Sequence, residues 1–110
     1  MARRLKIPKQ GEVWWVNLDP TVGKEINKRR PCVVVSPNET NDHLGTCIVA
    51  PVTSTLREWP TRFEITLQKQ QSSVALDQIR MIDNSRLIRR ITTIDAKPML
   101  AILREMFEEV

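Results

Sequence analysis

The sequence is poor in the residues that build metal and redox centres. It has one histidine and two cysteines in 110 residues. A zinc site needs about four nitrogen or thiolate ligands at short spacings, so these residues make no recognisable set. No structural metal and no cofactor is expected. Cys32 and Cys47 both fall in apolar, strand-like runs, where a cysteine serves as a small hydrophobe. No apolar run approaches the roughly 18 residues needed to cross a bilayer. The basic opening MARRLKIPKQ is not followed by an apolar segment of the signal-peptide kind. The expected location is therefore the cytoplasm, away from membranes. Nor is there a Ser-His-Asp set, a P-loop, a GxGxxG or an HExxH, which removes the commonest hydrolase, nucleotide-binding and zinc-protease readings.

What is present is an ordinary apolar fraction, 41%, and a net charge of +4. With a pI near 9.5, the chain suits a polyanionic partner, either nucleic acid or an acidic protein. Its length suggests a basic lead over residues 1–10, read as a frayed end, and one domain over residues 11–110. GEVWWVNL (11–18) reads as a strand. It places Trp14, Val16 and Leu18 on one face and Val13, Trp15 and Asn17 on the other. Trp15 and Asn17 are expected to look onto a surface groove. The run Cys32-Val33-Val34-Val35 reads as a strand covered on both faces.

Residues 37–43 are polar and begin with proline, which suggests a turn or short helix with His43 at the surface. TCIVAPV (46–52) is a third strand, with Pro51 implying an edge or bulge. RFEITL (62–67) alternates as a half-exposed strand. Residues 68–72 read as a polar connector, followed by short strands over 73–76, 79–82 and 89–92, with Asp83-Asn84-Ser85 as a turn or cap. From Asp95 onward, Met99, Ile102, Leu103, Met106, Phe107 and Val110 form one helical stripe. About six or seven short strands and a terminal helix make a mainly β fold with α: a small bent sheet or barrel with the helix packed on it.

The stretch DPTVGKEINKRRPCVVVSP (19–37) carries a further signal: a DP turn, then G-x-E, then RP entering a hydrophobic strand. With Ala50-Pro51-Val52-Thr53-Ser54, and Asp77-Gln78-Ile79-Arg80 followed by Ile82-Asp83, it resembles the MazF/PemK/Kid toxins of bacterial toxin–antitoxin pairs. The resemblance covers residues 11 to the C-terminus. It implies an SH3-like barrel with a C-terminal helix, usually a homodimer. It also implies a metal-independent endoribonuclease that cuts single-stranded RNA, mainly messenger RNA, at a short sequence. The implied products are a 2′,3′-cyclic phosphate and a 5′-hydroxyl. The implied protein partner is an antitoxin whose acidic, disordered tail mimics RNA in the same groove.

Read on their own, the polar groups at strand ends can do this chemistry. Attack by the neighbouring 2′-hydroxyl needs that hydroxyl deprotonated, the crowded phosphorus stabilised and the leaving 5′-oxygen protonated. A guanidinium clamps two phosphate oxygens at once. Arg30, held by Pro31 and the strand behind it, is the best placed, and Thr53 can donate to the same oxygens.

In the resemblance Arg30 and Thr53 are the catalytic pair, and Glu25 of the G-x-E has a base or substrate-positioning role. Asp77, Gln78 and Arg80 line the RNA groove. Asn17, Lys24, Lys28, Arg29, Ser54 and Thr55 complete the candidate RNA contacts. The Kid-type arginine two residues before Asp77 is replaced by Ala75, and the Kid-type histidine before the glutamate by Lys24. The MazF-type Arg/Thr pair therefore fits better. An arginine is a poor general base because it stays charged at neutral pH, so Arg30 is assigned transition-state stabilisation and leaving-group protonation. The general base stays open. The alternatives are a non-catalytic nucleic-acid-binding barrel or a CcdB-like gyrase poison. The latter ends in Trp-Gly-Ile, whereas this chain ends Phe107-Glu108-Glu109-Val110.

Overall fold

The valine run has an apolar layer on each side. In the computed structural model, which describes residues 6–19, 23 and 28–108, it belongs to β2 (Arg29–Val34). Val33 and Val35 pack into one core cluster, while Cys32 and Val34 pack into a second. The other elements are β1 (Glu12–Asn17), α1 (Asn38–Leu44), β3 (Thr46–Thr53), β4 (Arg62–Leu67), β5 (Gln70–Ala75), β6 (Arg80–Asp83), β7 (Leu87–Thr93) and α2 (Lys97–Phe107). They form a curled seven-stranded antiparallel sheet in the order β4-β5-β3-β2-β1-β7, with β6 also on β3.

The curl follows from β3, which has two successive partners on one side. Its first half pairs with β6, from Thr46↔Asp83 to Val49↔Arg80. Its end pairs with β5, through Val52↔Val74 and Thr53↔Ser73. Pro51 lies at the seam, opposite Cys32 of β2. It sits neither at an edge nor at a bulge: a residue without an N–H is tolerated where one neighbouring strand has ended and the next has not begun.

Strand alternation sorts the core. Val16, Leu18, Cys32, Val34, Cys47, Val49, Ile82 and Leu87 fill the inside of the curl, with Trp14 against them. Val13, Val33, Ala50, Val52, Leu67 and Val74 face the other way and are covered by Met99 and Leu103 of α2. The expected helix is thus shorter than its apolar stripe suggested. Asp95 Oδ1 accepts from the Lys97 backbone N–H at 3.1 Å and Pro98 lies in the first turn, where its missing donor is tolerated.

Two elements differ from the sequence reading. The connector between β4 and β5 is only Gln68-Lys69, both left-handed at φ 50° and 66°. Such a two-residue hairpin turn ordinarily takes Asn-Gly, so the continuous β4–β5 ladder, Arg62↔Ala75 through Leu67↔Gln70, holds these residues there. Secondly, residues 6–10 are tied down rather than frayed. Pro8 and Asn41 are buried. Asn41 Nδ2 donates to the Pro8 carbonyl at 3.0 Å, and Gln10 Nε2 donates to the Val35 carbonyl at 2.8 Å. Gly11 then enters the sheet at φ +89°, so close to the Ile94 carbonyl that a Cβ would lie 2.8 Å from its oxygen.

Candidate nucleic-acid site at the mouth of the curled sheet

β2 and β3 stay paired as far as Cys32 and Pro51. Two residues further along, at the same end of the pair, come Arg30 on β2 and Thr53 on β3. Both share the parity of core residues that face the inside of the curl, Cys32 and Val34 on one strand and Cys47 and Val49 on the other. Arg80 on β6 shares the parity of Ile82, which also faces inward. The three residues therefore ring one open end of the curl. Burial pushes the Cys32 thiol well up, and the positive charges of Arg80 and Arg30 oppose that shift. Arg30 and Thr53 are both half-buried. Thr53 Oγ1 accepts from the Thr55 backbone N–H at 3.1 Å, which folds the segment after β3 back over the strand end.

The exit of β1 and the entry of β2 are clamped beside this mouth. Leu18 N–H donates to the Lys28 carbonyl at 2.9 Å, and Lys28 N–H donates to Asp19 Oδ1 at 2.8 Å. Asn17 Oδ1 accepts from the Asp19 N–H at 3.1 Å. Two guanidinium groups then hold carbonyls of the β1 end. Arg80 donates to Leu18 at 3.0 Å, and Arg86 donates to Asn17 at 3.2 Å and to Asp19. Lys28 takes a left-handed φ of 67°, a strained conformation for a non-glycine residue. It sets the direction in which Arg29 and Arg30 leave the loop.

A second cluster lies at the end of β5. Asp77 accepts from Arg62 Nε at 2.8 Å and Nη2 at 3.3 Å, and from Thr61 Oγ1 at 3.1 Å. Burial alone would raise the Asp77 carboxyl; the bonds from Arg62, its own backbone and Thr61 outweigh it and hold the group below the ordinary carboxylate value. The Arg62 guanidinium also lies 4.7 Å from the Trp59 ring centroid, with that of Arg57 at 5.3 Å, a cation–π arrangement. Trp59 is 49% exposed.

The model of the PemK-like, MazF-like toxins of type II toxin–antitoxin systems matches residues 9–107. The chain belongs to this family. It is 40% identical over 78 residues to the endoribonuclease toxin MazF of Escherichia coli, covering 69% of this chain and 68% of that one. Over 99 residues it is 35% identical to the endoribonuclease EndoA of Bacillus subtilis, covering 84% and 85%. A crystal structure of MazF from Deinococcus radiodurans superposes with a TM-score of 0.75 at 31% identity, over 91% of this chain and 92% of that one. A MazE–MazF structure from the same organism does so at 0.67 and 31%, over 92% of each.

Within this MazF-like frame the fold brings Arg30, Thr53 and Arg80 to one mouth, with Arg29 opposite Asn17 at the neighbouring strand ends. Lys28, Arg29, Ser54 and Thr55 are exposed, whereas Gln78 is half-buried. Glu25 and Lys24 lie outside the described residues. Asp77 belongs to the Arg62–Trp59 cluster. Arg86 and Ser73 did not stand out in the sequence. Arg86 had no motif around it. Ser73 becomes visible only through its pairing with Thr53. Among the described residues, no three side chains of His, Cys, Asp or Glu stand together as a metal-binding group, and no helix is long and apolar enough to cross a membrane.

Proposed function

We propose that this chain is the toxin of a toxin–antitoxin pair and cleaves single-stranded RNA at a short sequence, without a metal. The observation that carries this reading is the placement of Arg30 and Thr53 at the same end and on the same face of paired strands. The membership of the family, and relatives that are endoribonucleases, support it.

The 2′-hydroxyl oxygen forms a bond to phosphorus as the bond to the 5′-oxygen breaks. This leaves a 2′,3′-cyclic phosphate and a 5′-hydroxyl. Negative charge grows on the phosphoryl oxygens, where a guanidinium fork and a hydroxyl stabilise it most. Arg30 clamps those oxygens and protonates the leaving 5′-oxygen, and Thr53 donates a further hydrogen bond. The 2′-hydroxyl gives its proton to a general base as it attacks, a role open to Glu25, which otherwise positions the substrate while water takes the proton. Lys28, Arg29, Lys24, Asn17, Ser54 and Thr55 follow the RNA backbone. Asp77, Gln78 and Arg80 shape the groove wall, Asp77 through Arg62 and Arg80 through the β1 carbonyl. The protein acts in the cytoplasm as a homodimer and pairs with an antitoxin that has an acidic disordered tail; the likeness to a MazE–MazF structure supports the pairing. Such a tail suits a groove in a chain of net charge +4.

The test is incubation with a long single-stranded RNA in EDTA, beside the Arg30→Ala protein, followed by mapping of fragment ends. Discrete cuts with cyclic-phosphate ends, lost in the variant, are expected. Absence of cleavage by the unaltered protein across several varied RNAs would leave a non-catalytic binder as the reading.

A further inference from the structure

Ser73 is completely buried, and its hydroxyl is one of two buried side-chain polar atoms among the described residues without a hydrogen-bond partner. A buried hydroxyl left unpaired destabilises a fold, so its local stability contribution gives no reason for serine here. Its position does. Ser73 lies directly opposite Thr53 across the β3–β5 ladder, and directly opposed residues project from the same face with side chains in reach of one another. On its other side it faces Glu64 of β4, whose carboxylate is occupied by Gln71 Nε2 at 2.9 Å.

A threonine hydroxyl has one proton to donate and two lone pairs to accept with. One acceptor position of Thr53 Oγ1 is filled by the Thr55 N–H. We propose that Ser73 is a positioning residue of the RNA-cleavage site, turning its hydroxyl onto the second lone pair of Thr53 Oγ1 when RNA binds. With both lone pairs filled, the Thr53 O–H is fixed along its one remaining tetrahedral direction, away from Ser73 and the Thr55 N–H, and it donates to the phosphoryl oxygen there. Ser73 thus aims the Thr53 donor without touching RNA. This rests on the reading of Thr53 as a phosphate donor.

The experiment compares Ser73→Ala, Thr53→Ala and the double variant with the unaltered protein. Cleavage of a synthetic RNA carrying one mapped site is followed, and melting is recorded for each protein. Ser73→Ala is expected to lower kcat by about tenfold, the effect of one lost hydrogen bond, with KM unchanged. Its melting temperature should hold or rise, because an unpaired buried hydroxyl has gone. In the Thr53→Ala background, Ser73→Ala should have no further effect on the residual rate. Unchanged kcat in Ser73→Ala, an additive loss in the double variant, or a melting temperature lowered by several degrees would each overturn the proposal. Full activity in Thr53→Ala would instead overturn the role given to Thr53, so the two failures are distinguishable.

Discussion

Replacing Arg62 by methionine tests whether charge or packing holds the cluster at the end of β5. The substitution keeps an apolar stem against Trp59 and removes the guanidinium that meets Asp77 at 2.8 and 3.3 Å. At an effective dielectric of about 20, two unit charges about 3 Å apart attract by about 5 kcal/mol, most of which desolvation offsets. An exposed pair contributes about 0–1 kcal/mol, and removing one partner of a buried pair costs about 3–5 kcal/mol. The Arg62 side chain is 7% exposed and that of Asp77 28%, so the pair falls between these limits, at about 2 kcal/mol. In a domain of this size that is a fall in Tm of about 8 °C at pH 7.

The pH dependence separates the causes. In the unaltered protein burial raises the Asp77 carboxyl, but the bonds from Arg62, its own backbone and Thr61 outweigh this and hold it below the ordinary carboxylate value. Its stabilisation is complete above the unfolded value and is lost as pH falls through the depressed folded value. In Arg62→Met the burial that raises the group stays while its main counterweight is gone, so the carboxyl moves up. The Tm gap between the two proteins should therefore narrow below pH 4. Thermal denaturation at pH 7 and pH 3 measures this. An equal gap at both values would refute the electrostatic account and assign the effect to stacking on Trp59.

Three further outcomes follow from named contacts. Changing Gln68-Lys69 to Asn-Gly, which takes up left-handed φ more readily, should raise stability by about 1–2 kcal/mol in chemical denaturation, with cleavage unaltered. Arg80→Met should lower the melting temperature and reduce cleavage. The salt dependence of RNA binding, measured by filter retention of a labelled oligonucleotide, should keep its slope, because the guanidinium holds the Leu18 carbonyl; a phosphate contact would instead cut the slope by about 0.7. The thiols should resist maleimide at neutral pH and react after denaturation, as mass spectrometry would show, because burial raises both and takes Cys47 to about 11.

The elements that declare themselves in the sequence are those with a period. RFEITL alternates and became β4; the Met99–Phe107 stripe became α2. The valine run was legible as covered on both faces because a half-exposed strand would have alternated. The missed features rest on partners distant in sequence. Residues 6–10 look like a loose end until Asn41, 33 positions from Pro8, is seen to bond its carbonyl. The Gln68-Lys69 turn lacks the glycine that announces such turns, and only the strands on either side impose it.

Arginine shows the same limit in a sharper form, because its five donors suit a carbonyl as well as a phosphate. Arg30, Arg62, Arg80 and Arg86 all belong to the basic character that suggested a polyanion. Yet Arg80 and Arg86 hold carbonyls at the end of β1, and Arg62 holds Asp77. The positive charge near the mouth is therefore partly scaffold. The β1 end that Arg80 and Arg86 fix is bonded to Lys28, the residue from which Arg29 and Arg30 enter β2. Loosening either clamp should blur the aim of Arg30 while leaving the charge around it nearly intact. A site of this kind would lose turnover before it loses affinity for RNA.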